Sequence, residues 1–244
     1  MRISVVMPAY NEESGIAEFI VEMDEHLKAW NPIFFVVDDC SKDQTVNVAQ
    51  SLVEQGVEIR VVSNDMNSGH GPSTVRALRL GLSIDPELVV AIDGDGQFIG
   101  TDVAKVVAEF VALNCDIAEG VRTQRDDPVY RKLVTAITRL LVFSRTRQLP
   151  RDANTPLRVY RPSALSRILQ AVGPNTMIPN LKISSISRRW KMNVNQIPVS
   201  SIPRRGLDQS SVTWGNSRRQ VPTRRFLKFC FRAMKDFWSE NRVS

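Results

Sequence analysis

The chain has 244 residues, of which 43% are hydrophobic and 24% are charged, so it is long and apolar enough to bury a sizeable core. This composition excludes an intrinsically disordered chain. The formal net charge is +6, and basic residues concentrate after Arg188, which favours anionic partners such as diphosphates or a membrane surface. Nucleic acid is set aside as a partner, because no signature of a nucleic-acid-binding module accompanies the charge.

Apolar segments alternate with segments of helical periodicity along the chain. In chain order the pattern predicts strand 3–8, helix 14–28, strand 33–39, helix 45–55, strand 58–64, helix 72–84, strand 87–93, helix 101–114, strand 116–122, helix 129–147, strand 155–161, helix 163–172, strand 193–201 and helix 226–238. Loops are predicted at 125–128 and 201–225. Because apolar strands that alternate with helices are typical of buried parallel sheets, we expect an α/β fold with a mostly parallel central sheet and helices on both faces.

The cysteine residues and the N-terminal segment indicate the cellular compartment in which the protein is expected. Cys40, Cys115 and Cys230 are far apart and follow no paired spacing, so the sequence indicates neither a disulfide framework nor a zinc site. The start MRISVVMPAYNEE has too short an apolar stretch for a signal peptide, and no apolar run approaches the roughly 18 residues of a spanning helix. We therefore expect a cytoplasmic protein that is soluble or peripheral to a membrane.

Polar residues follow four predicted strands, at 8–12, 38–39, 67–71 and 93–97. Ligands of open parallel sheets bind beyond the carboxyl ends of the strands. A lone aspartate at such a position is commonly only a helix N-cap, but that does not explain four strand ends together. We therefore expect a ligand site at this edge of the sheet.

The segment DGDGQ at 93–97 follows the apolar strand LVVAI. Its carboxylates, Asp93 and Asp95, are separated by one glycine, so both can point at one cation while the backbone stays accessible to a bulky ligand. Oxygen ligands favour Mg²⁺ or Mn²⁺ over zinc. Taken alone, the segment fits a turn rich in Asp and Gly equally well, and both interpretations stay open at this point.

Six motifs occur in the order found in family 2 glycosyltransferases, namely VVMPAYNEE, VVDDCSKDQT, NSGHGPSTVRALRLG, VVAIDGDGQF, GVR and RDANTPLRVYR. Over roughly residues 3–210 the chain resembles this family, particularly the dolichol-phosphate mannosyltransferases and other polyprenyl-phosphate glycosyltransferases. The resemblance implies a GT-A type, Rossmann-like nucleotide-sugar-binding fold for residues 1–215. A basic linker and a C-terminal amphipathic helix would follow at 216–244.

The resemblance also implies a donor site for a UDP- or GDP-linked sugar. The base and ribose would be bound by Pro8, Tyr10, Glu12 and Asp39. Asp93, Asp95 and Gln97 would hold a Mg²⁺ or Mn²⁺ ion and the diphosphate, and Asp93 would also contact the nucleotide. Relatives carry an arginine in a loop over the diphosphate, which corresponds to Arg205 here. The departures from the family pattern are His70 in place of a lysine, Asp208 in place of a glycine and Ser211 in place of a lysine.

For the acceptor, two readings stay open. A hydroxyl acceptor would need a general base, for which Asp152 is the candidate. A phosphate acceptor, whose second pKa is about 6, is already ionised and needs cations that position it; Arg122 and Arg131 match the phosphate-holding arginines of the family. The favoured function is inverting transfer of a hexose to a polyprenyl phosphate. The alternatives are transfer to a hydroxyl of a saccharide, protein or small molecule, and a nucleotide-binding module without turnover.

The segment FLKFCFRAMKDFW near the C-terminus predicts a helix with one broad apolar side. The narrow polar side carries Lys228, Arg232, Lys235 and Asp236. With Arg224 and Arg225 in front, this pattern predicts a helix that lies in the plane of an anionic membrane, on its inner, cytoplasmic face. The same apolar side could instead dock on the catalytic domain or form a homodimer.

Overall fold

The computed structural model of the protein describes residues 1–123, 129–205 and 224–239, and for 129–132 and 224–227 the backbone alone. The strands in these ranges are β1 (Ile3–Ala9), β2 (Pro32–Asp38), β3 (Ile59–Ser63), β4 (Leu88–Ala91), β5 (Ile117–Arg122), β6 (Arg158–Tyr160) and β7 (Val194–Val199). The helices are α1 (Ile16–Leu27), α2 (Thr45–Ser51), α3 (His70–Leu82), α4 (Gly100–Leu113), α5 (Val129–Thr146), α6 (Pro162–Ala171), α7 (Pro179–Arg189) and α8 (Arg224–Trp238). The predicted loop at 125–128 and the predicted domain boundary after residue 215 lie outside the described residues.

The seven described strands form one sheet in the order β3-β2-β1-β4-β6-β5-β7. β6 runs antiparallel to both of its neighbours, β4 and β5, and the other neighbouring strands are parallel. The mostly parallel α/β sheet is therefore confirmed. Because β2, β1 and β4 are adjacent and parallel, their carboxyl ends meet at one edge of the sheet.

Apolar side chains pack on both faces of the sheet, which explains why the strands are almost continuously apolar. Along β1, Val5 and Met7 join the core formed with α1 and α4, whereas Val6 joins the core formed with α3, α6 and α7. Helix α1 packs on the sheet through one apolar face, whose buried residues are spaced by three and four positions: Ile16, Phe19, Ile20, Met23 and Leu27.

Helix α7 is the element that the sequence pattern did not predict. Its sequence, PNLKISSISRR, is mostly polar, yet all but its last residue are buried, including Lys182, Ser184 and Arg188. Ser184 and Arg188 can be buried because a buried carboxylate, that of Glu119, accepts their hydrogen bonds. Glu119 of β5 accepts hydrogen bonds from Arg188 at 2.6 and 3.1 Å and from Ser184 at 3.2 Å, and it lies 3.4 Å from Arg158 Nη2.

Glu119 is fully buried among these cations. Burial alone would raise the pKa of its carboxyl, but Arg158 and Arg188 lower that pKa below its usual value of 4.5. Glu119 is therefore ionised at neutral pH and neutralises part of the charge of two buried guanidinium groups. The cluster joins β5, β6 and α7, so it ties the second half of the sheet to the helix that covers it.

We expect Glu119→Ala to lower the free energy of unfolding by about 3–5 kcal/mol, because it leaves two buried guanidinium groups without their counter-charge. Urea denaturation followed by circular dichroism measures this difference. Glu109→Ala is the matched control, since the Glu109 carboxylate lies on the surface of α4, 4.0 Å from Lys105, and its loss should cost no more than about 0.5 kcal/mol. Equal urea midpoints for the two variants would contradict this account of α7.

The C-terminal helix α8 lies against α5 and α7. Phe237 is fully buried beside Val142 and Leu181, while Phe231 and Trp238 are exposed. Part of the predicted apolar side therefore packs on α5 and α7, as the docking alternative predicted, and part remains exposed. No helix within the described ranges is long and apolar enough to cross a membrane.

Candidate active site

Three strand ends meet at the predicted ligand edge and are tied by backbone hydrogen bonds. The N–H of Asp39 donates to Ala9 O at 2.9 Å, and the N–H of Gly94 donates to Pro8 O at 3.2 Å. A Cβ on Gly94 would lie 2.9 Å from Pro8 O, so only glycine allows this approach. The structure thus brings the residues after β1, β2 and β4 into one region.

Asp39 has a structural task in this region. Its carboxylate is buried and accepts hydrogen bonds from Asn64 Nδ2 at 2.7 Å and from the backbone N–H groups of Ser68 and Gly69 at 2.8 Å each. It thereby shapes the loop that leads from β3 to α3. Its predicted contact with the nucleotide remains a prediction, and Tyr10, which is 37% exposed, lies at the surface of the same region.

Asp93 and Asp95 form an acidic pair after β4. Burial, together with the neighbouring Asp93, raises the pKa of Asp95 to about 7. The Gln97 N–H, which lies 3.3 Å from Asp95 Oδ1, and the charges of His70 and Arg122 lower this pKa in part. Two carboxylates that disfavour each other's charge fit a divalent cation, which would relieve their repulsion. Among the described residues, no group of three or more His, Cys, Asp or Glu side chains could hold a metal ion. Two carboxylates suit an ion that takes its other ligands from a substrate diphosphate and water.

His70 begins α3 beside this pair. Its Nε2 lies 3.6 Å from Asp93 Oδ1 and 3.4 Å from Thr74 Oγ1, and about half of the side chain is exposed, 53%. The position where the family usually has a lysine therefore still faces the acidic pair, at the N-terminus of a helix that favours anions.

Arg122 and Asp152, the two acceptor-side candidates, are brought into direct contact. Arg122 Nε and Nη2 lie 3.3 and 3.1 Å from Asp152 Oδ2, and both side chains are largely buried. Asp152 Oδ1 accepts the N–H of Asn154 at 3.1 Å. The carboxylate thus fixes the orientation of the guanidinium. Arg131 belongs to α5, and its side chain lies outside the described residues.

Arg205 and its neighbours lie over the acidic segment. The N–H of Ile202 donates to Gln97 O at 2.9 Å and that of Arg205 to Asp95 O at 3.3 Å. The Arg205 guanidinium, however, donates to Gly96 O and pairs with Glu18 and Glu22 of α1. In this arrangement Arg205 attaches the segment to the site, and its predicted contact with the diphosphate stays a prediction.

Glu12 is also occupied, because it forms an ion pair with Arg204. Arg204 Nε is buried and has no hydrogen-bond partner among the described residues. Nothing in the sequence motifs indicated that Glu18 and Glu22 are the ion-pair partners of Arg205. Their spacing of four residues on α1, which places both on one face of the helix, was the only available signal. Asp208 and Ser211 lie outside the described residues.

Known structures share this fold. The glucosyl-3-phosphoglycerate synthase of Mycobacterium tuberculosis superposes with a TM-score of 0.65 and 18% identity, over 98% of this chain and 80% of that one. The same enzyme in complex with Mn²⁺ and uridine-diphosphate-glucose superposes with a TM-score of 0.59 and 18% identity, over 85% and 72% of the two chains. At such identities the likeness shows the fold alone, which is of the GT-A type.

Relatives of known activity cover most of the chain. A UDP-N-acetylglucosamine–dolichyl-phosphate N-acetylglucosaminyltransferase of Methanococcus voltae is 23% identical over 217 residues, 82% of this chain and 85% of the relative. An undecaprenyl-phosphate 4-deoxy-4-formamido-L-arabinose transferase of Salmonella choleraesuis is 27% identical over 185 residues, 74% of this chain. The match spans 55% of the length of that relative. Residues 4–170 also match the sequence model of glycosyl transferase family 2, and the chain therefore belongs to this family.

Proposed function

We propose that the chain is an inverting glycosyltransferase that moves a hexose from a nucleotide-sugar to a polyprenyl phosphate. One observation carries this proposal: Arg122 ends β5, which runs in the same direction as β4 because both are antiparallel to β6, so its guanidinium, held by Asp152, lies at the same edge of the sheet as the acidic pair. A cationic site for a phosphate thus adjoins an anionic site for a metal and a diphosphate. The relatives from Methanococcus voltae and Salmonella choleraesuis, which act on dolichyl and undecaprenyl phosphate, support the same acceptor class.

The donor side would be built from the first half of the chain. Pro8, Tyr10, Glu12 and Asp39 would bind the base and ribose of a UDP- or GDP-linked sugar. The oxygen atoms of Asp93, Asp95 and Gln97 fit Mg²⁺ or Mn²⁺, and such an ion would offset the charge that develops on the leaving diphosphate. The Arg205 guanidinium uses three of its five N–H groups on Gly96 O, Glu18 and Glu22, so its two remaining N–H groups would contact the diphosphate.

The acceptor side determines the bond that forms. An oxygen of the acceptor phosphate would attack the anomeric carbon as the bond from that carbon to the diphosphate breaks, which inverts the configuration and releases the nucleoside diphosphate. Arg122 already donates to Asp152 through Nε and Nη2, so it would present its remaining nitrogen, Nη1, to the phosphate. A general base would need a carboxylate oxygen free to take the proton of a hydroxyl, whereas both oxygens of Asp152 already accept hydrogen bonds, Oδ2 from Arg122 and Oδ1 from the N–H of Asn154. The geometry therefore favours a phosphate acceptor over a hydroxyl.

A peripheral position on the cytoplasmic face of an anionic membrane completes the proposal. Two helices each expose an apolar stripe at helical spacing, and Arg145, whose guanidinium lies 5.1 Å from the centre of the Trp238 ring, joins them. The exposed residues are Leu133, Ile137 and Leu140 on α5 and Phe231, Met234 and Trp238 on α8. Exposed Lys228 and Arg232 lie beside them, which suits anionic headgroups. A lipid-linked acceptor would be delivered from this surface.

A donor screen tests the catalytic proposal. Nucleotide release is measured with UDP-, GDP- and dTDP-sugars in the presence of Mn²⁺, with and without a short polyprenyl phosphate. We expect one class of donor to be turned over and release to depend on the lipid phosphate. If the protein binds nucleotide but releases none under any condition, it is a non-catalytic nucleotide-binding module. If release requires a hydroxyl acceptor, the acceptor is a hydroxyl and not a polyprenyl phosphate.

The membrane surface makes a separate prediction. Phe231→Ser combined with Trp238→Ser should weaken binding to anionic vesicles by at least about tenfold, because each large apolar side chain that leaves water contributes roughly 1.5–3 kcal/mol. Sedimentation with phosphatidylserine-containing vesicles measures the bound fraction. Val53→Ser is the matched control, since Val53 is equally exposed, 56%, but lies beyond α2. Unchanged vesicle binding would mean that this surface does not bind the membrane. Dimerisation that is lost in the double variant would assign the surface to a homodimer.

A further inference from the structure

The end of helix α8 is attached to the catalytic domain by a partly buried ion pair. The carboxylate of Asp236 accepts hydrogen bonds from Lys182 Nζ at 2.7 Å, from Thr176 Oγ1 at 2.7 Å and from the N–H of Met177 at 2.8 Å. Burial would raise the pKa of Asp236, but these three donors lower it below its usual value. Lys182 is only 3% exposed, so water competes little for the pair. Such charge-assisted contacts fix both distance and orientation.

The next residue, Phe237, packs against the loop of the acceptor site. Its ring is fully buried and belongs to one apolar cluster with Val142, Leu181 and Ala153, and Ala153 directly follows Asp152. Arg145 lies 5.3 Å from the ring centre and donates Nη1 to Phe237 O at 3.0 Å. The ring therefore supports the backbone from which Asp152 extends towards Arg122.

A second route leads from Asp236 to the same loop. Lys182, the ion-pair partner, lies on α7 two residues before Ser184. Arg158 Nη2 donates to Ser184 Oγ at 2.9 Å and to Ala153 O at 3.2 Å. The apolar cluster that contains Phe237 and the polar contacts of α7 thus both include Ala153.

We propose that Asp236 and Phe237 are positioning residues for the Arg122–Asp152 pair, so that α8 is an integral part of the acceptor site. This inference rests on the proposed function, because it is that function which makes the pair a phosphate site. One side of α8 would hold the acceptor loop in place while its exposed side meets the lipid surface. The donor residues follow β1, β2 and β4 and form no hydrogen bond or ion pair with α8 among the described residues; only Thr176 and Met177, which lie against Gly71 next to His70, connect the two regions. Donor binding should therefore depend on α8 less than acceptor binding does.

The test compares full-length Asp236→Ala with the wild-type protein. Geranyl phosphate serves as a water-soluble acceptor, so that vesicle binding plays no part, and UDP or GDP with Mn²⁺ serves as the donor-side probe. We expect the variant to bind geranyl phosphate about tenfold more weakly, because small displacements of positioning groups are costly, and to keep its nucleotide affinity within about twofold. Asp236→Asn, which keeps acceptors for Thr176 and Met177, should show a smaller loss, and Glu109→Ala none.

Hydrogen exchange of the backbone amides at 152–155 provides a readout that needs no ligand. In Asp236→Ala these amides should exchange faster than in the wild type, while vesicle binding is kept. Wild-type exchange at 152–155 would overturn the inference, and so would an equal loss of nucleotide and acceptor binding, which would mean a general loss of structure. If the wild-type protein itself does not bind geranyl phosphate, the proposed acceptor fails, and hydrogen exchange still decides whether α8 positions this loop.

Discussion

Asp95→Asn is expected to lower turnover by about 10³-fold, with the fold intact, because it removes one of two carboxylates that would hold the cation and so weakens stabilisation of the leaving diphosphate. The substitution keeps the size of the side chain and its capacity to accept the hydrogen bond from the N–H of Gln97. Initial rates with the donor identified by the screen, over a range of Mn²⁺ concentrations, measure the effect. The required Mn²⁺ concentration should rise together with the loss of rate.

The same variant should be more stable than the wild type in the absence of metal. The folded protein raises the pKa of Asp95 from 3.8 to about 7, so folding disfavours the ionised carboxylate. The wild type therefore loses stability as the pH rises from about 4 to about 7, and the neutral amide does not. Urea midpoints should favour Asp95→Asn at pH 8 and converge near pH 4. A rate close to that of the wild type would mean that Asp95 does not hold the cation. A variant that is less stable than the wild type at pH 8 would contradict the raised pKa of Asp95.

Arg122→Gln is expected to reduce the efficiency with a polyprenyl phosphate by about 10²–10³-fold, because the acceptor phosphate loses its charged partner. The loss should appear mainly in the acceptor KM, since the donor residues follow other strands. Arg122→Lys is the matched variant: it keeps the charge but not the two-point contact with Asp152, so an intermediate loss is expected. Steady-state kinetics with the acceptor varied measure all three proteins.

Asp152→Asn distinguishes the two acceptor classes. With a phosphate acceptor, Asp152 only orients Arg122, so an amide should cost about tenfold. With a hydroxyl acceptor it would be the general base, and its loss should cost at least about 10²–10⁴-fold. A severe loss in Asp152→Asn combined with a mild loss in Arg122→Gln would contradict the proposed acceptor.

Much of the fold could be predicted because its strands carry a local signal. The buried strands β1, β2 and β4 are continuously apolar, and polar residues mark the point where each one ends. Parallel pairing of such strands necessarily gathers those ends, which is why the acidic pair and the residues after β1 and β2 could be assigned to one site. The contact between Arg122 and Asp152 joins two motifs that were already assigned to the acceptor.

The remaining features depend on side chains that are distant in the sequence. Helix α7 was not predicted because its polar residues Ser184 and Arg188 are buried against Glu119 on β5, 65 and 69 positions earlier. Arg205 pairs with glutamates 187 and 183 positions away. Asp236 was assigned to the polar side of α8, but Lys182 and Thr176 bind its carboxylate, whereas Lys228, Arg232 and Lys235 on the same side are exposed. No local periodicity encodes such partners.

The product of the reaction tests the central claim most directly. The protein is incubated with the donor identified by the screen, Mn²⁺ and a polyprenyl phosphate, and the lipid fraction is examined by mass spectrometry and by proton and phosphorus NMR. The account predicts a hexosyl phosphodiester of the polyprenol whose anomeric configuration is opposite to that of the donor. A retained configuration, or sugar found only on a hydroxyl group or in water, would contradict it.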